Sequence, residues 1–254
     1  TVAASELEGP GALCGFFAVA SSAGEDCQRA VAELATQLVA NEVLEPNAIA
    51  RSFAAAATEA STLSAVCGWL VLAKRLSAPE VAEGLPAGLV EAGCIAQCAG
   101  LMERHPQEAS VQLLGVEAMS ALIGNRIEGL YAFAEVGGIR HIESALKTHR
   151  GDLVLQTKGV RAISCACAWP AKVQDDARFS YESGIELTKT AMSNHSEDAE
   201  LQTAALEALL RYLDRGECVE AVRASGGEGL VKALMIRHAQ AERVQLLGKR
   251  VLDG

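Results

Sequence analysis

In the stretch "ELQTAALEALLRYL" the apolar residues Leu201, Ala205, Ala208, Leu209 and Tyr212 recur every three or four positions. That spacing gathers them on one face of an α-helix and predicts a half-buried helix with an inward stripe. Related stretches stand at 111–119 ("VQLLGVEAM"), 155–163 ("LQTKGVRAI") and 244–252 ("VQLLGKRVL"). No Asn-Gly hairpin joins alternating strands. Half the chain is apolar but only 4% is aromatic, and Ala and Leu carry the hydrophobicity. Those residues lose little entropy in a helix, so the pattern predicts an all-α protein.

The helical stretches keep a period. Gln112, Gln156, Gln202 and Gln245 are separated by 44, 46 and 43 residues. His105, His149, His195 and His238 precede them by seven places, and Cys94, Gly138, Gly184 and Gly227 precede those histidines by eleven. Helical repeats of the HEAT and armadillo kinds have periods of ~40–47 residues. Each unit parses into three helices. A short first helix ends at a small pair ("IEGLYAFAEVGG", "KVQDDARFSYESG", "GECVEAVRASGG"), where glycine allows the left-handed turn that closes a helix. A second helix then ends at the phased histidine, which is expected to bond the orphan carbonyls there and answer the dipole. After a break at Pro106, at Gly151 or at "SEDA", with Ser196 as expected N-cap, the third helix begins. Gly115, Gly159, Ala205 and Gly248 share one place in it and would let helices approach closely.

This three-helix unit resembles the armadillo repeat. The residues that carry the likeness are the small pair followed by an aliphatic (Gly138-Ile139, Gly184-Ile185) and the third-helix pattern x-Q-x-x-[GA]-x-x-A-[LIM], with Val251 in the alanine place of the last copy. HEAT repeats are the close competitor, and the extra short first helix favours armadillo. The resemblance covers about 90–254 and implies a right-handed superhelical α-solenoid. Residues 1–45 then supply N-terminal capping helices and 46–90 a degenerate unit, with "STLSAVCGWLVLAKRLS" as its third helix and Ser77 to Glu80 as a capping box. Further units span 91–125, 126–170, 171–215 and an incomplete 216–254.

In armadillo proteins that hold extended peptides, the third helices line a groove. An asparagine nine places after the position of Gln112 clamps the peptide, often with a tryptophan four places before it. Here the asparagine positions hold Ala121, Cys165, Arg211 and Gly254, and the tryptophan positions hold Glu117, Arg161, Glu207 and Arg250. Both ladders are missing, which argues against importin-like peptide capture and nuclear transport. The alternating signs imply either a salt-bridge ladder between adjacent repeats or a charged groove matched to a partner. Glu117, Arg161, Glu207, Arg211 and Arg250 are therefore the candidate partner-binding residues.

Charge and cysteine usage narrow the classes. The chain has 22 basic and 32 acidic residues, a net charge of -10, and its first fifty residues hold seven acids against Arg29 alone. A nucleic-acid binder shows a basic stripe, and none is evident. The eight cysteines form no CxxC pair and no disulfide framework, which implies a reducing intracellular compartment and not secretion. Cys94 and Cys98 lie one helical turn apart and read as packing residues, as do Cys165 and Cys167.

No apolar run reaches the ~20 residues of a membrane span. Residues 11–20 have the length of a signal core but lack its positive flank, and read as a buried helix. The start at Thr1 suggests a fragment or a removed transit peptide, and the stop at "KRVLDG", inside a third helix, suggests that more chain follows or that something covers that end.

Phosphate-loop, nucleophile-elbow and zinc-protease motifs are absent. Asp175-Asp176 and Glu197-Asp198 fall near helix starts, where the dipole favours anions. His141 is unphased, and Trp69 and Trp169 occupy different places in their units. Successive phased histidines would stand ~8–10 Å apart, too far to share one metal. The expected function is a non-enzymatic protein–protein interaction scaffold or adaptor in a large hetero-oligomeric assembly, without cofactor, metal or direct membrane insertion. The alternatives are a peripheral or regulatory subunit of an organellar multiprotein complex, membrane complexes included, and a metal- or thiol-dependent enzyme.

Overall fold

Helix periodicity without strand alternation has its expected result. The computed structural model describes residues 10–78, 81–124, 126–167, 181–214, 219–224 and 226–253, and every regular element among them is a helix. The chain divides into two compact units, Thr1–Gly138 and Ile139–Gly254. The first holds α1 (Pro10–Ser21), α2 (Glu25–Ala40), α3 (Pro46–Glu59), α4 (Leu63–Leu76), α5 (Leu85–Glu91), α6 (Cys94–Arg104), α7 (Ala109–Ile123) and α8 (Ile127–Glu135). The second holds α9 (Gly138–Thr148), which begins at the boundary, then α10 (Leu153–Cys167), α11 (Tyr181–Asn194), α12 (Ala199–Leu213), α13 (Val219–Ala224), α14 (Gly227–Arg237) and α15 (Glu242–Asp253).

In the first unit α1 lies on α3 and α4, α2 on α4, α4 on α7, and α6 on α7. The scarce aromatics gather at its start. Phe17 meets Phe53 edge-on with centroids 5.2 Å apart, and Phe53 stacks on Trp69 at 4.7 Å. The Trp69 indole also donates to the Phe53 carbonyl at 2.9 Å, which satisfies its one polar atom in a fully buried place. Beside it α4 comes so near α1 that a Cβ on Gly68 would overlap the Ser21 carbonyl. Residues 11–20 form a helix buried on one face only: Phe17 is enclosed but Val19 is 74% exposed.

In the second unit α10 lies on α12 and α12 on α15, with α11 against α10 and α12 and α14 against α15. The expected stripe is all buried, with Leu201, Ala205, Ala208, Leu209 and Tyr212 at 0% exposure. The shared small position is a notch for the second helix of the same repeat. A Cβ on Gly115 would stand 2.5 Å from Met102, on Gly159 2.6 Å from Leu146, and on Gly248 2.7 Å from Met235.

The phased pair has a division of labour that differs from the expectation. α6, α9, α11 and α14 each end one residue before a phased histidine. It is the glutamine side chain that reaches the carbonyls there. Gln112 Nε2 donates to Met102 and His105 carbonyls at 2.9 and 2.9 Å, and Gln156 to Leu146 and His149 at 2.9 and 3.2 Å. Gln202 donates to Met192 and His195 at 2.9 and 2.9 Å, and Gln245 to Met235 and His238 at 2.7 and 3.1 Å. Helix ends leave carbonyls without intrahelical donors, and an amide has two hydrogens for two of them.

Three further expectations are corrected. The small pair closes a first helix where its leading residue is a glycine with positive φ (Gly93, Gly137, Gly226). In the third copy that place is Ser183, for which the left-handed region is costly, and α11 runs through it unbroken. Gly184 is instead a close-approach position, since a Cβ there would lie 2.5 Å from the Tyr212 hydroxyl oxygen. Ser77 closes α4 and is not a helix start, its hydroxyl donating to the Ala73 carbonyl at 2.7 Å, while Glu80, the other half of the expected capping box, lies outside the described residues. Ser196 is not the N-cap of α12. Asp198 is, its carboxylate accepting from the Leu201 N–H at 2.7 Å.

Replacing Gln202 with alanine removes both amide bonds at a buried helix end. The expected loss is about 2 kcal/mol in urea unfolding, with a smaller loss for Gln245→Ala, whose side chain is only partly buried. Equal stability of Q202A and the parent would show that the amide does not hold the helix pair.

Candidate functional site

Helices that bury one stripe leave the opposite face to solvent, and the candidate residues stand on such faces of α7, α10, α12 and α15. In the first unit Glu117 accepts from Lys74 Nζ, on neighbouring α4, at 2.8 Å. In the second, Arg161 meets Glu200 of α12 at 3.4 Å and Glu207 meets Arg243 of α15. The pairing is slanted: the partner of Arg161 sits seven residues before Glu207, and that of Glu207 seven residues before Arg250. Sequence reasoning missed Lys74, Glu200 and Arg243. A usable signal existed for two of them, since Glu200 and Arg243 each stand two places before a phased glutamine with sign opposite to the preceding repeat's candidate. Glu117 is mostly covered, but the pairs of Arg161 and Glu207 are about one-third exposed or more on both sides and each contributes only ~0–1 kcal/mol.

Arg211 has a different neighbour. Its Nη1 donates to the Cys165 sulfur at 3.2 Å, joining two successive positions of the missing asparagine ladder. Cys165 is exposed on α10 and is not the packing residue it was expected to be. Arg250 is exposed in the last turn of α15. No carboxylate among the described residues pairs with Arg211 or Arg250.

The phased histidines link repeats. His195 Nε2 lies 2.8 Å from the Arg150 carbonyl oxygen, and His238 Nε2 lies 2.7 Å from that of Ser196. Each acceptor is the residue just after the preceding phased histidine. A carbonyl only accepts, so each Nε2 carries the hydrogen and donates. At the second of these junctions Arg237 also donates to the Ser196 hydroxyl at 2.6 Å and pairs with Glu197. Among the described residues no group of three or more His, Cys, Asp or Glu side chains is placed to hold a metal. His141 is half-buried on α9, while Trp169, Asp175 and Asp176 lie outside the described residues.

Cys94 and Cys98 are fully enclosed on α6. Burial pushes both thiols well above their ordinary range, and for Cys94 the neighbouring Cys98 adds to the effect. They are protonated packing groups at neutral pH. Charge is divided unequally between the units: the first carries 6 basic and 16 acidic residues, a net of -10, and the second 16 of each.

The thiolate is the reacting form of cysteine, so burial and a raised pKa act together. Maleimide labelling at pH 7 read by peptide mass spectrometry is expected to modify Cys27 and Cys165 at once, and Cys94 and Cys98 only in denaturant. Rapid labelling of Cys98 in the folded protein would contradict this packing. No family model, curated protein or solved structure matches this chain.

Proposed function

We propose that the chain is an armadillo-type α-solenoid acting as a non-enzymatic protein–protein interaction scaffold or adaptor within a larger assembly. The fold part of this reading is supported by recurrence: four copies share the same glutamine bonds and three of them the same glycine notch. Stacked repeats offer more surface than a compact domain of equal mass, which suits a scaffold. Free exposed thiols at Cys27 and Cys165 suit a reducing compartment.

The observation that carries the functional part is the state of Arg211 and Arg250. Both are exposed on rigid third helices, and Arg161 and Glu207 on the same series of helices already have partners. A guanidinium without a carboxylate, next to satisfied pairs, is a place for a partner's acid.

Crosslinking mass spectrometry in native extract is expected to join a partner to Lys249, beside Arg250. The double variant Arg211→Glu with Arg250→Glu is expected to lower recovery of that partner about tenfold, the equivalent of ~1.4 kcal/mol, with helix content by circular dichroism unchanged. Undiminished recovery removes this face from consideration.

A further inference from the structure

The first unit has only six basic side chains, and three of them, Arg29, Lys74 and Arg75, gather where α2 lies on α4. Arg75 stands between two hollows. One, of about 440 Å³, has Ala32, Ala78 and Val81 in its lining, and the other, of about 380 Å³, has Val71 and Leu114. Each falls in the ~300–1,000 Å³ range of ligand pockets. Lys74 is held by Glu117, whereas the two arginines are only loosely answered. Arg75 Nη2 donates to Glu25 at 2.8 Å and Arg29 to Asp26 at 2.5 Å, but these carboxylates are 78% and 93% exposed. Arg75 Nε is buried and has no acceptor among the described residues. A guanidinium offers five N–H donors in a fork that fits a carboxylate by two parallel bonds, and Glu25 takes one.

We propose that the two hollows, with Arg75 between them, form a docking site for an extended segment of a partner protein that carries a single acidic residue between aliphatic ones. A glutamate or aspartate carboxylate takes Arg75 in place of Glu25, and aliphatic side chains on either side of it enter the hollows. In an extended chain, residues i, i+2 and i+4 line one face. The recognised pattern is therefore aliphatic, acidic, aliphatic at alternate positions. Glu33 on the rim of the larger hollow repels a second acid there and reserves that place for an apolar residue. Exchanging Glu25 for the partner's acid costs little, because an exposed ion pair is weak. This inference rests on the scaffold reading and adds a surface separate from Arg211 and Arg250.

The test uses acetyl-Leu-Ser-Glu-Ser-Leu-amide, titrated into the whole chain and followed by amide chemical shifts. Matched peptides carry Gln or Lys in place of Glu, and free glutarate is a further arm. Expected are shifts centred on α2 and α4, and binding at least about tenfold tighter for the Glu peptide than for the Lys peptide. Arg75→Gln should weaken binding about tenfold, and Glu25→Gln, which frees the guanidinium, should strengthen it about threefold. The second variant separates binding from folding, because Glu25 is exposed and a merely structural Arg75 would not respond by a gain in affinity. Emission of buried Trp69, on the same helix as Arg75, confirms that each variant is folded.

Absence of any peptide binding, equal binding of Glu and Lys peptides, or no gain from Glu25→Gln would overturn the proposal. Glutarate binding as tightly as the peptide would overturn it in favour of a small organic acid. The Arg211→Glu, Arg250→Glu variant should bind the Glu peptide normally. Loss of the native partner in that variant with the peptide retained, or the reverse, tells failure of one surface from failure of the other.

Discussion

Two hydrogen bonds from one amide hold each helix pair. A second helix that ends against its neighbour presents carbonyls partly or wholly shielded from water, and these are answered from within the fold. The phased glutamine does so from the first turns of the third helix, reaching ten and seven residues back at once. Because both hydrogens belong to one rigid planar group, the bonds fix the angle between the helices as well as joining them. The notch residue three places later then sets how close they come, with Met102, Leu146 and Met235 occupying the space a Cβ would fill. Where that residue is Ala205 it is still fully buried. The outward face of every third helix is aimed by this pair of constraints, and the candidate charges with it.

The histidines act at the next level, between one repeat and the next. Their acceptor is a backbone carbonyl, which every residue has, so the linkage places no demand on the side chain that follows the preceding histidine. That is why the two acceptors, Arg150 and Ser196, can differ in side chain with the periodicity intact. The cost is that the ring cannot also serve as a metal ligand through the same nitrogen. Two of the histidines that resemble scattered catalytic groups along the chain, His195 and His238, are donors already in use.

Periodicity makes the helices, the ends of the second helices and the buried stripe of α12 legible in the sequence alone. It could not apportion roles between two polar residues in the same phase, since histidine and glutamine can both donate to a carbonyl and only reach decides which one does. The small pair was misread at Ser183-Gly184 because a left-handed turn and a close helix contact both ask for glycine, and sequence spacing does not tell them apart. The charge pairing was missed for a similar reason. Arg161 meets Glu200 and not Glu207 because the side chains slant across neighbouring helices, and that stagger is a property of packing. Nothing in the sequence singles out Arg75: its surroundings come from α2, ahead of the stretch where the repeat can be recognised.

The uneven charge of the two units limits what Arg75 can recognise. A unit with a net charge of -10 repels acids at a distance, yet at physiological salt fields fade over ~8 Å. Long-range repulsion is therefore muted, while the guanidinium acts at hydrogen-bond range on whatever enters the hollows. A uniformly acidic segment gains one good contact and meets Glu33 and the other carboxylates around it. A segment with one acid set between aliphatic residues, and with neutral or basic residues beyond, keeps the contact without the repulsion. The same carboxylates that make the unit acidic thus act as a filter on partners, favouring an isolated acid over an acidic run.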